Sequence, residues 1–307
     1  MVGSWYEVGK AEVLELELVV VIPTYNYGKY VSAAVESVLV QSREPDAIVV
    51  VDDGSTDDTA QDVAEFGDRV RYIRQENAGV SAARNRGVAE STGELIAFMD
   101  ADDTWEPTKL ERQAEIFERD PEVGLVHCGM REFDSDTGET IAMHTEGMEG
   151  DVADELLLWE RPVINVSGSS IMVRREAFEE AGGFDTRMKC GEDWDLCYRI
   201  ARRWTVGFVP EPLVNYRSHA AAAHRNVRDM EEGMGLFYEK AFAEGGNVLR
   251  LKARALGNYH RVLAGSYFRS GGYGDFLRHA AKSVWHRPSG IGYFAAFPLR
   301  RLFLTTD

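Results

Sequence analysis

LIAFMDADD, residues 95–103, ends a run of apolar side chains on three carboxylates within four positions. Like charges packed this closely repel, and one carboxyl is driven up in pKa unless a cation or strong hydrogen bonds neutralise it. The cluster therefore asks for a partner. Upstream the same order of elements recurs: LVVVI (18–22) runs into PTYN, AIVVV (47–51) runs into DDGSTDDT, and VRYI occupies 70–73. Amphipathic segments at about 27–40, 56–66 and 79–90 lie between these runs. Continuous β-branched runs alternating with amphipathic helices predict parallel strands covered on both faces. Residues 18–104 thus read as a Rossmann-like nucleotide-binding half. Its polar clusters fall at the carboxyl ends of successive strands, where open parallel sheets bind ligands. No GxGxxG follows the first strand and no GxxxxGK[ST] loop occurs, so a dinucleotide fingerprint and a P-loop are both absent from the sequence.

The chain has 307 residues, enough for one large α/β domain with an appendage, and 44% of them are hydrophobic, which excludes global disorder. A formal charge of -17 disfavours nucleic acid as a partner, since affinity for phosphate backbones comes from Lys and Arg. Cys128, Cys190 and Cys197 form no CxxC and no paired framework; they read as packed thiols in a reducing compartment. Glu7, Glu12 and Glu15 stand where a secretory signal would carry a basic and then an apolar region, and no apolar run reaches the length of a membrane span. The expected location is cytoplasmic, soluble or at the cytoplasmic face of a membrane.

Beyond Trp105 a helix is expected to about 119, then a strand at GLVHCGM and a mobile polar loop to Gly150. VINVSGSSIMV (163–173) reads as a strand, GGFD as a turn, EDWDLCYRI as a helix, and VGFVP and PLVNYR as two short strands. From about 227 the chain turns helical, interrupted at Gly271, Gly272 and 288–290.

Either Asp52 or Asp53 alone could simply cap the following helix. Three acidic or polar clusters converging on one sheet edge instead imply a crevice that would repel a diphosphate without an intervening cation. Mn²⁺ or Mg²⁺ answers both problems, because hard divalent cations take carboxylate and phosphate oxygens into one shell. In an extended segment Asp100 and Asp102 point the same way and can address one cation or one nucleotide. Asp103 faces elsewhere and reads as a loop-stabilising or capping carboxylate.

VIPTYN, VDDGSTDDT, NAGVSAARNRG, FMDADD with Trp105, Pro107 and Lys109 behind it, GGFD and GEDWDL together resemble the inverting family-two glycosyltransferases of GT-A fold, over about residues 18–220. The resemblance implies a GT-A architecture, α/β with a Rossmann-like half, a mixed central sheet and a C-terminal helical appendage. Its boundaries would be an extension at 1–17, a catalytic domain at 18–225 divided at 104/105 into nucleotide and acceptor halves, and helices at 226–307. It implies that Asp53 reads the base, with Thr24, Tyr25 and Asn26 beside it. Arg84 and Trp194 would also belong to the nucleotide-sugar site. Asp100 and Asp102 would hold ribose and metal, Asp102 the more directly, and His219 would complete the metal shell. Asp193 would be the general base, taking the acceptor's proton on the far side from the metal, with Glu192 orienting a substrate.

The reaction so implied moves a sugar from a nucleoside diphosphate donor, UDP-linked by expectation, to a hydroxyl of a saccharide or lipid-linked saccharide. The rivals are a sugar-phosphate nucleotidyltransferase, for which PTYNYGK is a poor triphosphate loop, and a non-catalytic sugar-nucleotide-binding protein. A homo-oligomer is also compatible with the sequence. Residues 250–307 hold ten Lys and Arg against Asp275 and Asp307. Their helices are expected either on an anionic membrane or packed on the acidic remainder of the chain or a second subunit.

Overall fold

The computed structural model describes residues 16–165, 167–219 and 226–295. The expected extension therefore lies almost wholly outside the described residues, as do His224 and the aromatic and basic positions from 297 to 303. In chain order the elements are β1 (Leu18–Thr24), α1 (Gly28–Leu39), β2 (Ala47–Asp52), α2 (Thr59–Ala64), β3 (Arg71–Arg74), α3 (Val80–Ala89), β4 (Leu95–Phe98) and β5 (Thr104–Trp105). They continue with α4 (Lys109–Arg119), β6 (Val123–Asp134), β7 (Thr140–His144), α5 (Ala153–Leu158), β8 (Ile171–Arg174), α6 (Arg175–Glu180), α7 (Glu192–Ala201) and β9 (Thr205–Ser218). Last come α8 (Val227–Ala243), α9 (Lys252–Arg269), α10 (Tyr273–His286) and α11 (Ile291–Ala295).

All nine strands form one mixed sheet in the order β3-β2-β1-β4-β8-β6-β9-β5, with β7 paired to β6. The first four strands are parallel, as the β-branched runs predict. Chain order reverses between β1 and β4, so their carboxyl ends open the crevice in which such sheets bind ligands. β8 joins β4 antiparallel and carries the sheet into the second half. Strand alternation divides the core in two. Val19, Val21, Ile96 and Phe98 face α3, α5, α6, α7 and the C-terminal helices, while Val20, Ile22, Ala97 and Met99 face α1 and α4.

Three expectations are corrected. The polar stretch before Gly150 is not simply a loop: β7 pairs with β6 from Phe133↔Thr140 to Met130↔His144, and Asp134 accepts the Asp136 and Thr137 amides to make the turn. VINVSGSSIMV is strand only from Ile171, because Ser167 and Ser170 bond to nearby backbone and wind Gly168–Ser170 into a 3₁₀ turn. VGFVP and PLVNYR form one strand, β9, rather than two. Its register with β6 jumps from Cys128↔Val209 to Gly129↔Pro212, so the prolines sit where ladder bonding is already interrupted.

The C-terminal helices pack directly on the α/β core. Phe237 and Tyr238 of α8 and Tyr259 and Leu263 of α9 share an apolar cluster with Leu157 of α5 and Tyr198 of α7. Arg250 pairs with Asp154, and Arg254 and Arg287 pair with Glu160. Packing on the acidic domain thus accounts for part of the basic bias. No helix among the described residues is long and apolar enough to cross a membrane.

Gly87 lets α3 seat on β1 and β2: a Cβ there would overlap the Val21 side chain and approach Val51 Cγ2 to 3.2 Å. Overpacking this contact with Gly87→Val should cost about 2 kcal/mol or more, within the usual range for such changes. A urea titration should show a lowered midpoint with an unchanged slope; an unchanged midpoint would mean that α3 yields freely.

Candidate active site

A cleft of about 410 Å³ opens at the carboxyl ends of β1, β2 and β4, and its far wall comes from α5, α7 and α8. Of the predicted residues, Thr24, Tyr25, Asp53, Arg84, Asp100, Asp102, Glu192, Asp193 and Trp194 all line it. Residues as far apart in sequence as Thr24 and Trp194 thus reach one cavity.

Asp53 is buried at the end of β2, where its carboxylate accepts the Ala78 and Gly79 amides (both 2.8 Å) and Gln75 Nε2 (2.7 Å). It thereby fixes the turn into α3. Asp52 faces the other way and is fully buried. Burial works against its charge, but bonds from Ser55, Tyr72 and Arg74 hold its carboxyl below the ordinary value. Asn26 does not line the cleft. Its backbone lies in the left-handed region (φ 56°), its amide donates to Ser55 Oγ (2.9 Å), and its Oδ1 accepts the Thr56 amide (2.7 Å), locking the PTYN turn to the DDGST turn.

The three carboxylates of DADD have three environments. Asp100 Oδ1 accepts from Arg84 Nη2 at 2.6 Å. Asp102 Oδ2 lies 2.9 Å from His219 Nε2. Burial and the Asp100 charge raise the Asp102 carboxyl, and His219 opposes that rise. His219 is held in turn by stacking on Tyr30 at 5.7 Å and by the edge of Tyr27 at 6.0 Å. Asp103 is buried and braces the loop, accepting Ser169 Oγ (2.5 Å) and the Arg217 amide (2.9 Å). Burial, then the Asp102 and Asp100 charges, push its carboxyl well up.

Arg84 connects this loop to α7. The guanidinium lines the cleft and is buried between Asp100 and Glu192 Oε1 (2.9 Å), over the Phe184 ring. Gly168 leaves it room, since a Cβ at 168 would come within 2.9 Å of Asp100 Oδ1 and overlap Arg84. Asp193, beside Glu192, is partly open to the cleft. Burial first, and the Glu192 charge second, raise its carboxyl to about 7, against the pull of Arg84 and the Trp194 amide that it accepts at 2.8 Å. Lys109, behind Trp105, is buried against Gln113 (2.6 Å), and burial lowers its ammonium to about 8.

Lining residues that escape the sequence reading include Tyr27, Lys189, Cys190, Tyr216, Met230 and Met234. The methionines stand four apart on α8, a stripe that sequence alone cannot distinguish from core. Trp159 also lines the cleft, its ring 5.7 Å from that of Trp194. Thr24 Oγ1, Arg84 Nε and Trp194 Nε1 are buried with no hydrogen-bond partner among the described residues. Unsatisfied polar atoms are uncommon in folded proteins, and these three are on residues lining the cleft, where a polar ligand or water could meet them.

The family model described as Glycosyl transferase family 2 matches residues 19–182. An uncharacterised glycosyltransferase of Nostoc sp. is 33% identical over 218 residues, 69% of this chain and 68% of its own length. One from Rickettsia prowazekii is 28% identical over 203 residues, covering 66% and 64% of the two chains. Among solved structures, S. aureus TarS 1-349 in complex with UDP-GlcNAc superimposes with a TM-score of 0.61 at 15% identity, over 89% of this chain and 92% of that one. Mannosyltransferase PcManGT from Pyrobaculum calidifontis, in complex with GDP-Man and Mn²⁺, does so with a TM-score of 0.62 at 21% identity, over 93% and 81%. These likenesses agree with the expected GT-A fold. With the family match spanning more than half of the chain and the Nostoc relative aligned over two thirds of both proteins, this chain belongs to glycosyl transferase family 2.

Proposed function

We propose that the chain is a metal-dependent inverting glycosyltransferase that moves one sugar from a nucleoside diphosphate donor, a UDP-sugar by our reading, to a hydroxyl of a saccharide or lipid-linked saccharide. One observation carries the proposal: a single cleft joins the carboxylates at the ends of β2 and β4 to a separate carboxyl, Asp193, raised to about 7. A base poised near neutral pH is suited to accept a hydroxyl proton. Donor-bound relatives of the fold, one with UDP-GlcNAc and one with GDP-Man and Mn²⁺, support the donor class and the metal.

The donor set suits a hard divalent cation. Asp100 and Asp102 offer carboxylate oxygens, and His219 offers an imidazole that favours Mn²⁺ over Mg²⁺. Among the described residues no three His, Cys, Asp or Glu side chains form a ready metal-holding group. A cation that shares its shell with substrate phosphate and water needs fewer protein ligands. When bound, it would offset charge developing on the leaving diphosphate.

Thr24, Tyr25 and Asp53 would flank the nucleotide, and Arg84 would keep Asp100 and Glu192 in fixed relation. Asp193 would take the proton as the acceptor oxygen bonds to the anomeric carbon and the bond to the diphosphate oxygen breaks, inverting the configuration. Trp159 and Trp194, next to that base, would form the wall against which the acceptor lies, offering flat apolar faces to a sugar ring. Nucleoside diphosphate release from a panel of nucleotide sugars with Mn²⁺, and the anomeric configuration of the product by NMR, test the reading; release of pyrophosphate from a triphosphate, or a retained anomer, would overturn it.

Asp102→Asn should weaken Mn²⁺-dependent UDP binding by roughly tenfold or more, the scale of a lost metal contact. Calorimetry with and without Mn²⁺ reads this directly, and an unchanged metal-dependent affinity would remove Asp102 from the site. Asp193→Asn should lower turnover by roughly a hundredfold or more while donor affinity holds. The base must be ionised to act, so kcat/KM should rise with pH through an inflection near 7. Glu192→Gln removes a charge that raises the Asp193 carboxyl, and the acid limb should then move to lower pH. An inflection that stays in place would show that another group titrates.

A further inference from the structure

The outer face of α10 is not needed for the chemistry above, and it is unusual in two respects. Four of the ten exposed large apolar residues among those described fall between 273 and 291: Tyr273, Leu277, Trp285 and Ile291. Trp285 is 84% exposed, Ile291 65% and Leu277 64%. Tyr273, Leu277, Ala281 and Trp285 follow one another at four-residue steps, so they lie along a single stripe of the helix. His279 and Ser283, on the opposite side, are buried against α9, where Ser283 Oγ donates to the Gly257 carbonyl at 2.7 Å. The stripe is therefore an outward face of a docked helix.

The second feature is charge. Internal pairing with Asp154 and Glu160 uses Arg250, Arg254 and Arg287 of the basic C-terminal region. Lys252, Arg261, Arg269 and Lys282 have no carboxylate partner among the described residues. Lys282 and Arg278 border the stripe on one flank; Arg278 is shared with Glu231 and Asp275. Asp275 is the only acid on α10. An exposed apolar stripe carrying an aromatic, edged by lysine and arginine, is the composition of a helix lying in a membrane interface, its rings at headgroup depth and its cations reaching lipid phosphate.

We propose that α10 and the start of α11 form a docking surface for an anionic lipid leaflet. The remainder of the chain is strongly acidic, so attraction to such a leaflet is confined to this face and sets the orientation in which the protein lands. The inference stands apart from the proposed chemistry, since its readout requires no donor or acceptor. It also supplies a reason for a lipid-linked acceptor.

Flotation of the full chain with vesicles of phosphatidylcholine, and of phosphatidylcholine mixed with phosphatidylglycerol, tests the proposal. Binding should require phosphatidylglycerol and fall with salt. Lys282→Gln should reduce it roughly fivefold, the effect of one cation near a charged leaflet. The double substitution Leu277→Ser with Trp285→Ser should abolish it. Arg119→Gln, at an exposed cation of α4 on the opposite side of the sheet, should leave it unchanged. All of these positions are exposed, and matching thermal melts check that the fold is intact. A wild-type protein that stays in solution with anionic vesicles at low salt would overturn the proposal. So would equal losses from Arg119→Gln and Lys282→Gln, which would make the attraction diffuse. Light scattering covers the remaining case: a dimer that the double substitution splits, with no vesicle binding by the wild type, would assign the face to a second copy.

Discussion

The Arg84 guanidinium is buried, and two carboxylates from distant parts of the chain close on it: Asp100 after β4 and Glu192 at the start of α7. A buried cation is tolerable only when paired and hydrogen-bonded. Folding therefore must bring α3, the β4 loop and α7 to fixed positions around one side chain. The two walls of the cleft meet there: α3 and the loop after β4 supply Arg84 and Asp100, α7 supplies Glu192, and Asp193 is placed by its neighbour. Arg84 also sets the electrostatics of that neighbour, since its charge is the largest influence drawing the Asp193 carboxyl downward against burial and Glu192. Gly168 makes the space for this arrangement.

Crowding in DADD is relieved by giving each carboxylate its own partner. Arg84 meets Asp100, His219 meets Asp102, and Ser169 with the Arg217 amide meets Asp103. The relief is incomplete, since the Asp102 and Asp103 carboxyls both stay raised, by burial first and then by neighbouring charge. Negative charge that stays this crowded is what a bound cation would offset.

What the sequence makes legible is local. Runs such as LVVVI and AIVVV specify buried parallel strands because both faces must be apolar, and polar residues directly after them fall at the sheet edge by chain connectivity alone. Asp53, Asp100 and Asp102 are found that way, and Asp193 through the GGFD and GEDWDL motifs. Tyr216, Met230 and Met234 are not, because their presence in the cleft depends on how β9 and α8 pack, and their local patterns are those of ordinary core. VINVSGSSIMV misleads for a different reason: its serines satisfy backbone groups locally, so a β-rich composition yields a turn before the strand. Asn26 is not among the residues lining the cleft. It stands among ligand-type residues but has the left-handed backbone and short polar side chain that hold a turn.

The C-terminal helices show how a charge imbalance separates into two roles once packing is known. Trp159, which lines the cleft, caps α5 with a left-handed backbone (φ 49°), a conformation that persists only when its surroundings enforce it. Those surroundings are the C-terminal helices. Tyr238 donates to the Leu157 carbonyl at 3.1 Å, Asn258 donates to the Leu158 carbonyl at 2.9 Å, and Glu160 is gripped by Arg254, Asn258 and Arg287. The Glu160 carboxyl is accordingly held far down, to about 2, by the Arg254 bond above all. The basic residues that make these contacts, themselves still partly exposed, tie down the corner bearing Trp159, and α8 adds Met230 and Met234 to the same cleft. Cations that have no internal acid partner are left on the outer surface of the same helices. One helical unit thus shapes a wall of the cleft from inside and, among the described residues, carries cations without acid partners on its outer surface.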